Sequence, residues 1–336
     1  MGGWDSTLTQ STVVTPKVVK ETLVLANQLI ADFNKWLVVN LTPQIHVGRP
    51  LGSSAYYEVD SEDTVYGDID LQIIARPFSP SYFQFTQVWN NRLHSYIKQY
   101  KPSYVECQES QPGHIIFNNN GKFVQVDLMW HDPTLEKWGI ARATPERGVK
   151  GLLHGNLFST LGYFFDMSIQ HAGVQYKTRN NLHVPFNLRK DVTVHTLSID
   201  PTTFVLDIFH YLAKEQNITN PIIDPLLLEY PGERLDEIKI VTLVNSIKGL
   251  AKSIEANQMF KNITFLQDAT IDQIKDSNDF LKAFWIKYES KAMKDINSEK
   301  RDKKETPEAI LRAENDVKRI LSGLEMVKKA VFDTAF

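Results

Sequence analysis

The sequence predicts an α+β fold: a mixed first part, residues 1–138, followed by a mainly helical second part, residues 139–336. Three observations carry this expectation. Apolar residues Val19, Leu23, Ala26, Ile30, Phe33 and Leu37 recur at helical spacing near the start. Two alternating apolar runs then flank Asn120-Gly121, a strong short-range hairpin signal. Beyond Pro133 the pattern turns to long segments of helical period.

Taken in order, residues 15–39 read as an amphipathic helix. Thr15-Pro16 supplies a cap and then a proline in the first turn, and Thr42-Pro43 marks the end. Ile45-His46-Val47 is a short strand, and Gly48 with residues 50–54 makes a turn. The acidic stretch 60–67 is loop, and residues 69–75 are apolar enough for a buried strand. Residues 82–100 form a second helix, and residues 104–107 are a strand candidate. The hairpin runs from Gly113 to Phe117, through the turn 118–121, and back from Lys122 to Trp130. On that return arm Phe123, Gln125, Asp127 and Met129 share one face, and Val124, Val126, Leu128 and Trp130 the other, apolar one. In the second part, 147–172, 201–214, 235–255, 271–291 and 307–336 read as helices. Residues 178–190 are irregular, and 192–197 a short strand.

Bulk properties exclude several classes. The charged content of 23% and hydrophobic content of 42% fit an ordinary globular protein rather than a disordered one. A lone cysteine, Cys107, excludes a disulfide framework and a cysteine-based zinc site, and the histidines make no His-x-x-x-His pair. No apolar run approaches the roughly 20 residues that span a bilayer. The polar start MGGWDSTLTQ predicts no secretory leader, so the expectation is a cytoplasmic protein without a membrane partner. The net charge of −3 argues against a wholly basic protein that coats nucleic acid. Charge is uneven, however. Between residues 139 and 190, Arg142, Arg147, Lys150, Lys177, Arg179, Arg189 and Lys190 face only Glu146 and Asp166, a local excess that suits an anionic ligand.

The chemistry concentrates in residues 51–75. Asp68 and Asp70 stand two apart, so on a strand both carboxylates leave the same face. Asp127 lies on the polar face of the hairpin's second arm. Three carboxylates on neighbouring strands would suit a hard cation such as Mg²⁺, which takes a few carboxylates together with phosphates and water. The Gly52-Ser53 turn lets a phosphate chain approach the backbone closely. Walker-A, Gly-x-Gly-x-x-Gly and Gly-x-Ser-x-Gly motifs are all absent.

The combination Leu51-Gly52-Ser53, Asp68-Ile69-Asp70-Leu71 and Val126-Asp127-Leu128 resembles the DNA polymerase β-like nucleotidyltransferase superfamily. The nearest branch is the one containing poly(A) polymerases, archaeal-type CCA-adding enzymes, and oligoadenylate and cyclic-oligonucleotide synthases. The spacer of 14 residues between Ser53 and Asp68 is long for the family and implies an extended loop. The resemblance covers about residues 45–130. It implies a palm-like catalytic domain and transfer of a nucleoside monophosphate from an NTP, with release of pyrophosphate. It also implies two Mg²⁺ or Mn²⁺ ions on Asp68, Asp70 and Asp127, with the phosphates held by Gly52 and Ser53. The acceptor it implies is an RNA or oligonucleotide 3′-OH, used without a template. A second NTP, a small molecule or protein hydroxyl, and a catalytically inactive binding module remain alternatives.

In the second part, Arg147 and Lys150 either contact nucleotide phosphates or form a solvated helix face. His154, seven residues after Arg147, resembles the histidine of an Arg…His helix in archaeal-type CCA-adding enzymes. Tyr163, Lys177 and Arg179 are candidates for contact with a base or the acceptor. Core packing for the tyrosine, and plain exposure for the two cations, are the alternatives.

Overall fold

The computed structural model describes residues 13–37, 44–66, 68–76, 82–130, 149–165, 167–170, 173–179, 192–229, 240–263, 274–301 and 307–332. It is a mixed α+β protein with seven α-helices among those residues. The chain divides into two compact units, Met1–Ile140 and Ala141–Phe336.

In the first unit, helix α1 (Pro16–Leu37) precedes strand β1 (Gln44–Leu51). Thr15 begins the helix as expected: its Oγ1 accepts from Val18 N at 3.5 Å and its carbonyl from Val19 N at 2.9 Å. Strand β2 (Ile69–Arg76), helix α2 (Tyr82–Tyr100) and the hairpin β3 (His114–Asn119) and β4 (Lys122–Trp130) follow. The sheet order is β1-β2-β4-β3. Only the central pair, β2 with β4, is parallel. Returning the chain to a parallel neighbour needs a crossover, which the stretch containing α2 provides.

One sheet face is apolar. Ile69, Leu71 and Ile73 of β2, Ile115 and Phe117 of β3, and Val124, Val126, Leu128 and Trp130 of β4 form one core with α1 and α2. Helix α1 contributes Val19, Ala26, Leu29, Ile30 and Phe33 to it, each nearly inaccessible. Full burial of a Val, Leu, Ile or Phe side chain contributes about 1.5–3 kcal/mol. The amide of Asn34 joins α1 to the strand in the manner of a backbone partner, donating to Ile45 O at 2.6 Å and accepting from Ile45 N at 3.0 Å. The opposite sheet face carries Asp70, Gln72, Gln125 and Asp127 together with Ile116.

The hairpin turn is tighter than the four-residue turn expected. Asn119 pairs with Lys122, leaving only Asn120-Gly121 between the arms. Both take positive φ, 52° and 85°, as the two-residue turn matching strand twist requires. Residues 104–107 do not form a full strand. Val105 makes an isolated bridge to Phe117, and beyond it Glu106 turns the chain by accepting from Ser110 N and Gln108 N.

The first described element of the second unit is helix α3 (Val149–Phe164), which ends short of the expected residue 172. After it, β5 (Met167–Gln170) and β6 (Gly173–Arg179) pair as a hairpin, and β7 (Val192–Ser198) completes a three-stranded antiparallel sheet. The alternation Val174-Gln175-Tyr176-Lys177-Thr178-Arg179 has the strand period, so Thr178 and Arg179 end a strand rather than begin an irregular stretch. Helices α4 (Phe204–Glu215), α5 (Ile240–Ala256), α6 (Ser277–Arg301) and α7 (Pro307–Phe332) follow. Aromatic residues fill the centre, where Phe164 meets Phe280 edge-on at 5.3 Å and Phe158 meets Phe204 at 4.6 Å between ring centroids. No helix among the described residues is long and apolar enough to cross a membrane.

Helix α5 packs its backbone directly on the 3₁₀ turn Pro225–Glu229. A Cβ on Gly249 would meet the backbone of Leu227 and lie 2.7 Å from the carbonyl carbon of Leu226. Backbone cannot rotate aside as a side-chain end can. Gly249→Ala is therefore expected to destabilise the second unit by roughly 2–3 kcal/mol, despite alanine's better helix propensity. Chemical denaturation checks this; a stability at or above wild type would contradict the packing argument.

Candidate active site

Strand β2 carries Asp70 at the position paired with Asp127 of β4. In a parallel pair, register partners project from the same face, and the apolar residues on either side of each fix that face as the one away from the core. Asp68 stands one residue before β2 and is buried, at 8% exposure. Continuing the β2/β4 register backwards from Ile69 and Val126 sets Asp68 beside Gln125. The two-residue spacing thus places the expected carboxylates at one end of the central parallel pair.

Gly52 closes the site from the other side. Leu51, the last residue of β1, is the register partner of Asp70, and the next residue begins the short 3₁₀ turn Gly52–Ser54. Gly52 has φ of 57°. A Cβ on it would run into Asp70 Oδ2 and lie 3.5 Å from Asp70 Cγ. Glycine is needed for both reasons: the left-handed backbone, and the carboxylate lying where a side chain would go. Ser53 is exposed at this turn. Ser54, fully buried, holds the turn by donating its hydroxyl to Leu51 O at 3.1 Å.

Burial, and then the neighbouring Asp70 and Asp127 charges, push the Asp68 carboxyl up to about 6. Burial and the Asp127 charge do the same to Asp70, also to about 6. Asp68 Oδ2 is buried without a hydrogen-bond donor. Asp127 Oδ1 accepts from Gln125 Nε2 at 2.9 Å, while the other amide atom of this buried glutamine, Oε1, has no partner. Lone oxygens and mutually repelling carboxylates are what a cation relieves, and an all-oxygen donor set is the kind Mg²⁺ takes. The side chains are not gathered into a coordination shell: among the described residues, no group of three or more His, Cys, Asp and Glu is arranged to hold a metal ion.

These raised carboxyls set a pH dependence. Both groups hold their protons more tightly folded than unfolded, so their contribution to stability is fullest below about pH 4. It is lost as pH rises through about 6. Without divalent ions, the wild type is expected to lose on the order of 1 kcal/mol per carboxylate between about pH 5 and 7, relative to Asp68→Asn/Asp70→Asn. Parallel stability–pH curves for the two proteins, measured by denaturant titration in chelator, would rule this out.

The remaining candidates fare differently. Arg147 lies outside the described residues. Lys150 and His154 are on α3, and Lys177 and Arg179 are on β6, opposite Val194 and Val192 of β7; the side chains of all four lie outside the description. Tyr163 is half-buried near the end of α3. The ammonium of Lys287 sits over its ring, 3.7 Å from the centroid, and Phe164 meets its edge at 5.6 Å. In the acidic loop, Asp60 accepts from Tyr66 OH at 2.7 Å, a structural use, while Glu62 and Asp63 are exposed. Sequence reasoning passed over Gln125 and Lys287. A polar residue two before Asp127 on the same strand face was a signal for the first; nothing in the sequence pointed to the second.

No protein-family model matches the chain, and no curated protein matches it.

Proposed function

We propose that this chain is a metal-dependent nucleotidyltransferase of the DNA polymerase β-like superfamily, with residues 1–138 as the catalytic part. It transfers a nucleoside monophosphate from an NTP to a hydroxyl acceptor and releases pyrophosphate. The acceptor is an RNA or oligonucleotide 3′-OH, extended without a template. One observation carries the reading: Asp70 and Asp127 are register partners on parallel strands, with Gly52 against Asp70 and Asp68 buried beside them.

Asp68, Asp70 and Asp127 are the residues that would hold Mg²⁺ or Mn²⁺. Two such ions supply activation of the attacking hydroxyl and charge stabilisation of the leaving pyrophosphate. The chain's own residues do the positioning. Gly52 leaves room for the Asp70 carboxylate, and the backbone of the Gly52-Ser53 turn is proposed to meet the triphosphate. Gln125 holds one oxygen of Asp127, fixing the direction of the other. Arg147 and Lys150 are proposed to contact nucleotide phosphates.

The test is incubation with each labelled NTP and Mg²⁺ or Mn²⁺, with and without RNA. Lengthened RNA supports the reading. A phosphatase-resistant small product formed without RNA moves the acceptor to a second NTP; labelled protein or a labelled small molecule moves it to a side chain or a small hydroxyl. Equal inertness of wild type and Asp68→Ala/Asp70→Ala with every acceptor refutes catalysis.

A further inference from the structure

The second unit holds a row of cations that the proposed chemistry does not use. Lys287, Lys291 and Lys294 fall at i, i+4 and i+7 of α6, on one helix face, spread over roughly 10 Å at about 1.5 Å per residue. Among the described residues, none of the three is in an ion pair. Two are instead held against α3 by uncharged groups. Lys291 Nζ donates to Ser159 Oγ at 2.9 Å, and Lys287 Nζ sits 3.7 Å from the Tyr163 ring centroid. Asp295 beside the row accepts from Asn156 Nδ2 at 2.8 Å. Burial and the flanking Lys287 and Lys294 charges push Lys291 down to about 8.

This arrangement is costly by itself. Three like charges lie along one face, one is half-buried, and Asp295, whose charge partly offsets that of Lys291, is held by Asn156. Exposed lysines ordinarily spread into solvent and keep their hydration. Here Lys287 and Lys291 are fixed in place while Lys294 stays open to solvent. A row of cations outside any ion pair among the described residues, two of them held in place beside an aromatic ring, matches a chain of phosphates, because counterion release and charge neutralisation both favour it. Its length exceeds one phosphate group, which favours a polymer over a single anion.

We propose that the α3/α6 face around Lys287, Lys291 and Lys294 binds the phosphodiester backbone of a single-stranded oligonucleotide. The inference rests on the reading of the acceptor as RNA and locates part of its binding surface. Contacts of this kind carry affinity rather than base preference.

The experiment is fluorescence anisotropy with a labelled single-stranded RNA of mixed sequence, on the Asp68→Ala/Asp70→Ala protein without divalent ions or NTP. Lys287→Gln/Lys291→Gln/Lys294→Gln is expected to weaken binding at least about 10-fold and to flatten the log–log salt dependence by about 2, near 0.7 per lost phosphate contact. The triple arginine variant should retain binding. An equal-charge control, Lys214→Gln/Lys252→Gln/Lys328→Gln, changes three exposed lysines outside the row and should lose far less. Melting temperatures identify any variant that has not folded; the Lys291→Gln single variant, which relieves repulsion, then carries the test.

Equal losses in the row and control variants overturn the proposal, as does unchanged RNA affinity in the row variant. Binding to anionic vesicles but not to RNA overturns it too. Failure here is distinguishable from failure of the catalytic reading. RNA extension that survives with unchanged RNA affinity in the row variant sinks only this surface. RNA binding through the row, in a protein that transfers no nucleotide to any acceptor, sinks only the catalysis.

Discussion

Asp70→Asn and Asp127→Asn are each expected to lower kcat for nucleotide transfer at least about 10³-fold, with the fold intact. The two residues are register partners on parallel strands, so their carboxylates leave the same sheet face side by side. The amide keeps the shape and removes the charge, and with it the affinity for a hard divalent cation. Stability should move the opposite way. Asp70 is half-buried, and its carboxyl is pushed up to about 6 by the loss of solvent around it and by Asp127. At neutral pH the Asp70→Asn variant relieves that repulsion and should melt no lower than wild type. Loss of activity with a retained or raised melting temperature would be the signature of a carboxylate kept for chemistry at the cost of stability. Full activity in either variant would end the two-ion reading.

Gly52→Ala should come next in size. The φ of 57° alone costs an alanine roughly 1–2 kcal/mol. The new Cβ would also occupy the place of Asp70 Oδ2, so the carboxylate must rotate or the turn must move. Either outcome displaces a carboxylate proposed to hold a metal ion, and misplacement by about 1 Å is worth on the order of 10² in rate. The expected result is a kcat loss of about that size together with a modest fall in melting temperature. Gly121→Ala in the hairpin turn separates the two causes. Its φ of 85° gives it the backbone penalty, but no atom lies within 4 Å of its would-be Cβ. Were Gly121→Ala to lose as much activity as Gly52→Ala, contact with Asp70 could not be the reason.

The carboxylate positions were legible because a strand repeats every two residues. Apolar Val124, Val126, Leu128 and Trp130 named the core face of β4, and Asp127 then had to lie on the other. Asn120-Gly121 fixed the hairpin, though not its length, since Asn118 and Asn119 suit a turn as readily as a strand end. The helix predicted to 172 went wrong beyond Phe164, where the chain switches to a strand pattern with no proline to mark the change. What the sequence could not reveal depends on packing between distant segments. Lys291 looks like any helical lysine until α3 brings Ser159 to it.

The parallel pairing at the sheet centre also has a consequence for the order in which the molecule assembles. The β3/β4 arms are joined by two residues and close quickly, as hairpins do within microseconds. The partnership of Asp70 with Asp127 has no such shortcut. Helix α2 and the whole first arm of the hairpin lie between them in the chain, so β2 must find an already formed neighbour against a larger loss of loop entropy. The two carboxylates also repel as they meet. The pairing that sets Asp70 beside Asp127 is therefore expected to form after the hairpin that carries Asp127.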